Sequence, residues 1–575
     1  MPNLPGNNQP AATPEMPDIS GLLDATQPEL EPTLSPGQFT LRYDPDSTMN
    51  PITALNRDNI VLGSLLYESL FVLDEFLIAE PLLVESWHTY DYVTFTLEIL
   101  PDVMMHDGAV MTADDVAYSL RQARNHSQSR HRNKLRNIYN ITTDGDTTVT
   151  IILNSPNARF TRLLDIPIIR SGTIESNRPP GSGPFVFTSE ERIVDIITHE
   201  EELYYYYYDE YETPYIADDD LHDILHYYNQ PYEDQVTETI ITETVTMLIR
   251  FIEYRHFARL PITSIDLLQF DDGEITELFD NGDLSLLWDD PLGAFDIRIS
   301  RLHEPRLFHT TALQYLGFNA NSRVLNNPDV RRAIGLAIDR QYIVDNILSS
   351  PRPGQAVAAP VAINPIFDMY DPSWEIGGDP LGEMGALLDR AGLYDVTNEL
   401  FLQMPDGAGG FFSFTLEFIV NIENTHRVET AHWIANNLTL FGIRVNVREL
   451  AWPVFVERLQ SGNFDLYLGE TMLGADFDLS PLLLPGVGYL NFGNTANNMY
   501  RPLIDNFLAA RTQEEVREAG MELNLAIAQN APFVPIIFKR HAVYTHMGSI
   551  IVATPSQSGV FHNFHNWEID ELMLN

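Results

Sequence analysis

Apolar and polar side chains alternate over Thr94–Leu100 and again over Thr148–Leu153, the period of a strand with one face buried. Leu313–Asn319 alternates in the same way, with bulkier groups. From Asn327 onward the apolar positions Val330, Ile334, Ala337 and Ile338 instead recur every three or four residues. A strand followed by a helix is expected there. Asn327 is placed to cap the helix, Pro328 occupies a first-turn position where a missing N–H costs little, and Asp329 puts negative charge near the positive end. Downstream, Ala386–Leu393 reads as a helix closed by Gly392. Phe414–Val420 reads as a strand, Val428–Leu440 as a helix and Gly442–Arg448 as a strand, after which Trp452, Phe455 and Leu459 share one helix face. That order predicts an α/β lobe. Near the start, a strand from Phe39 enters the Asp44-Pro45 turn and then Asn50-Pro51, and Ile60–Leu70 reads as a short amphipathic helix. Asp107-Gly108 suits a tight turn, and Thr112 with Asp115 three residues on forms a capping box. Trp87 is expected to pack rather than to bind a ligand.

At 575 residues the chain exceeds what one core usually serves, so two or three domains are expected. No run of apolar residues is long enough to span a bilayer. A formal net charge of −47 argues against binding nucleic acid or an anionic lipid surface. The absence of cysteine excludes disulfides, thiolate metal sites and cysteine nucleophiles. Lys134 and Lys539 are the only lysines, and the rest of the positive charge is arginine.

Candidate chemistry is sparse. No Gly-x-Ser-x-Gly elbow, His-Glu-x-x-His helix or Walker phosphate loop is present, and the glycines of Gly181-Ser-Gly183-Pro lack the Lys-Ser/Thr that a phosphate loop needs. His106 and Asp107 suit a turn better than acid–base work. Arg121–Arg136 is the one basic stretch; it reads as a solvated helix offsetting acidic neighbours, with a partner-docking face as the alternative. Tyr204–Tyr208 is an unbroken tyrosine run. His222 and His226 have the spacing of half a zinc site, without a third or fourth ligand. No metal and no cofactor is expected.

Several of these segments resemble one family: the bacterial extracellular solute-binding proteins of the oligopeptide, dipeptide and nickel type, which serve ABC importers. Leu313–Arg340 is similar to its "YLGFN … P-x-V-R-x-A-x-x-x-A-I-D-R" segment. Met105–Leu120 resembles "F-H-D-G-x-P-L-T-A-E-D-V-x-x-S", Gly181–Phe187 resembles "G-T-G-P-Y-x-F", and Asn563–Trp567 resembles "F-x-N-W". The likeness covers most of residues 38–570, with a gap at about 200–255.

The resemblance implies an α/β, two-lobed periplasmic-binding-protein-like clamp (type II, cluster C) with an extra small domain. The first lobe would be discontinuous, from 38–56, 175–312 and 531–575. The small domain would span 57–174 and the second lobe 313–530. Residues 200–255 would be an insertion and 1–37 a tether. The implied function is capture of an oligopeptide or dipeptide by hinge closure, without an enzymatic step, and delivery to ABC permease subunits. Other ligands in the same clamp, namely a nickel chelate, haem or an oligosaccharide, remain open, as does an α/β hydrolase from another class. In peptide-binding relatives an Asp in a similar "A-D-Y/P-x-x-P" loop pairs with the ligand's α-ammonium. Here that position is Asp476, with Asp478 the close alternative, although the Trp often found upstream is replaced by Thr471-Met-Leu473. Asn56, Arg57, Asp58 and Asn59 are expected to face the same cleft. A monomer outside the cytoplasm is expected, at the cell surface or in the periplasm, touching the membrane only through a removed N-terminal lipid anchor. Residues 1–21 carry neither signal peptide nor anchoring cysteine.

Overall fold

The computed structural model describes residues 39–200, 236–294, 297–349, 353–375, 379–487 and 489–570. Two long antiparallel strands, His303–Phe318 and Phe533–His546, run through most of it. One half of the pair, His303–His309 against Arg540–His546, continues through Leu286–Asp289 into the first lobe. The other half, Leu313–Gly317 against Phe533–Phe538, continues into the second lobe through Leu466–Met472, Leu416–Asn421 and Val445–Leu450. The register slips between His309 and Leu313, where the halves meet. An irregularity of this kind twists and bends a strand pair, here at the point where the chain passes between lobes. The expected strand Leu313–Asn319 is therefore the second half of a longer one.

The second-lobe sheet is buried on both faces, which explains its near-continuous apolar runs. Leu313, Tyr315, Ile419 and Tyr467 pack to one side with Phe455, Leu459, Ile504 and Phe507. Leu316, Phe318, Phe418, Val420, Leu466 and Leu468 pack to the other with Ile334, Ile434 and Leu438. Helix Pro328–Leu336 starts as expected: the Asn327 side chain accepts from the Asp329 N–H at 2.9 Å. The glycine of the Tyr315-Leu-Gly317 run is required because a Cβ there would lie 2.1 Å from the ring of Tyr467, its cross-strand partner.

Phe39–Arg42, Ser264–Leu268, Val236–Arg250 and Phe185–Glu200 form the first-lobe sheet, in that order. Of the expected insertion at 200–255, Val236–Arg250 is thus a strand of this sheet, and Leu248 belongs to the core. The tyrosine run, His222 and His226, and the tether lie outside the described residues.

A smaller sheet, in the order Val84–His88, Thr94–Ile99, Thr148–Leu153 and Ile138–Asp144, carries helix Ala113–Asn125. Its two alternating strands bury every second residue, as their sequence pattern requires. The capping box is formed: Asp115 accepts from the Thr112 N–H at 2.9 Å and from its hydroxyl at 3.0 Å. The same buried carboxylate accepts from Arg170 at 3.0 Å and from the Ser171 N–H at 2.8 Å, which ties the small sheet to the segment returning to the first lobe. The two share one continuous apolar core. Trp87 stacks on Phe95 but stays 39% exposed on its strand.

Candidate ligand-binding cleft

A cavity of about 820 Å³ lies where the first lobe, the small sheet and the second lobe meet. Helix Arg57–Leu66 supplies one wall. Its phase decides which residues do so: Arg57, Ile60, Val61 and Ser64 recur on the cavity side, while Leu62, Leu65 and Leu66 enter the core. The Arg57 guanidinium lies 3.7 Å from the Trp288 ring centroid and donates to the Trp288 carbonyl at 2.6 Å, with Asp289 at 3.3 Å.

The neighbouring residues of that turn face elsewhere. Asn56 caps the helix, accepting from the Asp58 and Asn59 N–H groups at 3.0 and 3.1 Å. Asn59 is buried and holds the Asp44-Pro45 turn, donating to the Asp44 carbonyl at 2.8 Å and accepting from the Asp44 N–H at 3.1 Å. Asp58 lies 3.4 Å from Arg42, beside a separate small pocket next to Leu41 and Leu286. Of the four expected cleft residues on this turn, Arg57 alone lines the large cavity. Consecutive helical residues point about 100° apart, so one turn cannot present four side chains to one space.

The second lobe contributes the loop after strand Leu466–Met472, and here both expected carboxylates line the cavity. Asp476 is 3% exposed. Its Oδ2 accepts from Asn157 Nδ2 of the small-sheet region at 2.8 Å, and its Oδ1 accepts from the Asp478 N–H at 3.3 Å. Its carboxylate folds back over Gly474, where a Cβ would lie 2.6 Å from Oδ1. Phe477, at φ +55°, anchors the loop by burying its ring against Phe367 and Phe538. Burial pushes the Asp476 carboxyl up, and the charge of Asp478 adds to the effect. Asp478 itself is neutralised by Arg136 and accepts from the Ser480 N–H at 2.8 Å.

Arg136 belongs to the basic stretch, and the structure corrects the expectation for it. The helix stops at Asn125; residues 127–137 are mostly turns. Arg130, His131, Lys134 and Arg136 line the cavity instead of covering a solvated surface. The C-terminal run Ser556–His565 closes another wall. Burial holds His131, His541, His562 and His565 below the ordinary histidine range, so positive charge in the cleft comes from arginine and lysine. Among the described residues no three His, Cys, Asp or Glu side chains are grouped to hold a metal ion.

Contacts outside the cavity lining also join the small-sheet region to the second lobe. Arg159 is buried, lies 4.6 Å from the Phe507 ring centroid, and donates to the Phe507 and Ala510 carbonyls at the end of helix Tyr500–Ala509. Arg162 forms a bidentate pair with Asp368 at 3.0 and 2.8 Å. Two lobes joined by crossing strands, with a large cavity between them, have the geometry of a clamp.

The model of the bacterial extracellular solute-binding proteins, family 5 (middle region) matches residues 79–488, more than half of the chain. The chain belongs to this family. Among curated relatives, the family 5 chain is 25% identical over 425 residues to oligopeptide-binding protein AppA of Bacillus subtilis (strain 168), covering 70% of this chain and 67% of that protein. It is 22% identical over 499 residues to heme-binding protein A of Haemophilus influenzae (strain ATCC 51907 / DSM 11121 / KW20 / Rd), covering 80% and 78%. Among solved structures, B. subtilis AppA in complex with a nonapeptide superposes with a TM-score of 0.61 at 17% identity, covering 93% of this chain and 98% of that one. NikZ from Campylobacter jejuni in complex with Ni(L-His) gives 0.64 at 17%, covering 92% and 98%. The fold is therefore the two-lobed α/β clamp of family 5, whose members bind solutes outside the cytoplasm for ABC importers. No helix among the described residues is long and apolar enough to cross a membrane.

Proposed function

We propose that this solute-binding protein captures a short peptide with a free amino terminus, closes on it by bending at the strand irregularity near His309–Leu313, and hands it unaltered to its permease. One observation carries the reading. Asp476 is a buried carboxylate on the cavity wall whose direct partners are an amide and a backbone N–H, with no cation within ion-pair distance among the described residues. Burying an ionised group without a counter-charge is costly, and its raised pKa expresses that cost. A ligand ammonium would supply the missing charge, and a charge-assisted bond in a closed cleft exceeds a neutral one. The AppA complex, solved with a nonapeptide, supports a peptide.

In this reading the first lobe comprises 38–56, 175–312 and 531–575, the small domain 57–174 and the second lobe 313–530. The protein works as a monomer outside the cytoplasm. It performs no reaction in this reading, which follows the solute-binding role of the family. Native mass spectrometry of freshly purified protein tests the ligand class. Co-purifying peptides, recovered intact after incubation, are expected. A haem, a metal chelate or an oligosaccharide in their place, or reproducible cleavage that a point mutation abolishes, would overturn the reading.

A further inference from the structure

The register slip between the lobes leaves Thr310, Thr311 and Ala312 opposite Lys539 alone, because His309 pairs with Arg540 and Leu313 with Phe538. All three residues are buried. Backbone groups that leave a strand ladder inside a protein need other partners. Side chains supply them here. The Thr310 hydroxyl donates to the Lys539 carbonyl at 2.6 Å and accepts from the Ala312 N–H at 3.1 Å, while Asn364 donates to the Thr310 carbonyl at 3.0 Å. The Thr311 N–H donates to Gln557 Oε1 at 2.6 Å, and Gln557 Nε2 donates back to the Thr311 hydroxyl at 3.0 Å. That hydroxyl gives its own proton to the Leu473 carbonyl at 2.6 Å, and the Leu473 N–H donates to the Thr311 carbonyl at 3.1 Å. The partners of Thr311 come from two different walls of the cleft. Gln557 lies on the C-terminal run, beside Ser556, whose hydroxyl ties that run to the Leu73 carbonyl at 2.9 Å. Leu473 follows strand Leu466–Met472 and opens the loop that carries Asp476, whose carboxylate folds back over the next residue, Gly474. Gln557 lines the cavity, yet both ends of its amide are engaged by Thr311.

We infer that Gln557 is a positioning residue for ligand binding: through Thr311 it fixes Leu473, and with it the place from which Asp476 meets the ligand's ammonium. The inference rests on the peptide reading and adds to it a residue that acts on the peptide only through others. A binding side chain has to be held within about 0.5 Å of its working position by the groups around it. Here the support begins on the first-lobe wall, passes through the strand irregularity and ends at the first residue of the Asp476 loop. Without Gln557 the Thr311 N–H is a buried donor that has lost its acceptor, and the irregular turn of chain shifts to find another.

The test titrates the full chain by calorimetry with a randomised pool of tripeptides to octapeptides and with the same pool N-acetylated. Gln557→Met and Thr311→Val nearly keep the side-chain size and delete the bonds. Each should weaken the free pool about 10-fold and leave the acetylated pool within about twofold. The double variant should lose little more than the worse single one, because both cut the same chain of contacts. Thr311→Ser, which retains the hydroxyl, should keep most of the affinity that Thr311→Val loses. Equal losses for both pools would make Gln557 a general prop of the fold or a direct ligand contact, and no loss would leave the Asp476 loop independent of it. Either result overturns the inference, and the peptide reading stands as long as Asp476→Asn still separates the two pools. If Asp476→Asn treats the pools alike, the peptide reading falls and the inference with it. Should Gln557→Met fail to fold, Thr311→Val against Thr311→Ser carries the same test.

Discussion

Lys539 lies on the strand that passes between the lobes, and its replacement by methionine should weaken the protein at the hinge. The side chain is 1% exposed and pairs with Asp290 on the first-lobe side and with Glu470, at 3.0 Å, on the second-lobe sheet. Glu470 also receives Arg427 at 2.7 Å and Gln314 at 2.9 Å. Burial works against its ionisation, but Arg427 and Lys539 overrule it and hold the carboxyl at about 2, below its ordinary 4.5. That depression corresponds to roughly 3 kcal/mol. Because the folded-state value lies below the unfolded one, this stability is present above about pH 4.5 and is lost as pH falls toward about 2. Lys539 shares the effect with Arg427, so its removal should cost about 1.5 kcal/mol at Glu470. The orphaned Asp290 should add about 1 kcal/mol, softened by its partial exposure to water. Lys539→Met should therefore unfold in urea with about 2–3 kcal/mol less stability at neutral pH. The deficit should shrink below about pH 4, where Glu470 takes up its proton more readily in the variant. Combining it with Glu470→Gln should give less than the sum of the single losses. A deficit under about 0.5 kcal/mol, or one that does not change with pH, would refute the reasoning.

Two further outcomes follow from the same geometry. Asn56→Ala removes a helix cap and not a ligand contact, so it should cost about 1 kcal/mol in urea unfolding and leave peptide affinity within about twofold; a large affinity loss at unchanged stability would return Asn56 to the cleft. Saturating peptide should compact the protein in small-angle scattering, because a ligand touching both lobes favours the closed state; an unchanged radius of gyration, with binding established by calorimetry, would remove hinge closure from the mechanism.

Much of the fold was legible because its determinants are local. Asn327, Pro328 and Asp329 specify a helix start within three consecutive residues, and Thr112 with Asp115 another within four. Strands Leu313–Asn319, Phe414–Val420 and Gly442–Arg448 were legible from their alternation, while Leu466–Met472 was not read as a strand and the first-lobe half His303–His309, which carries Pro305 and several polar groups, becomes a strand only by pairing with Arg540–His546, far away in sequence. At the cavity, Asp476 and Asp478 lie on the wall where the motif put them, while helix phase turns Asn56, Asp58 and Asn59 away from it. The basic stretch was noticed for its composition, but its arginine-rich pattern suggested a solvated helix. Its true position depends on contacts such as Arg136 with Asp478, which join segments 342 residues apart. Lysine is equally telling in retrospect: Lys134 lines the cleft and Lys539 sits at the hinge, each held by carboxylates.

The central claim is that the buried carboxylate of Asp476 receives the ligand's ammonium. Calorimetry of a free peptide and its N-acetylated form, each against wild-type protein and Asp476→Asn, tests it most directly. Breaking one side of a buried charge pair typically costs about 3–5 kcal/mol. The substitution should thus weaken the free peptide by roughly two orders of magnitude or more, and leave the acetylated peptide nearly unaffected. A coupling near zero between the two changes would contradict the claim and leave Asp476 as the loop residue that Asn157 holds in place.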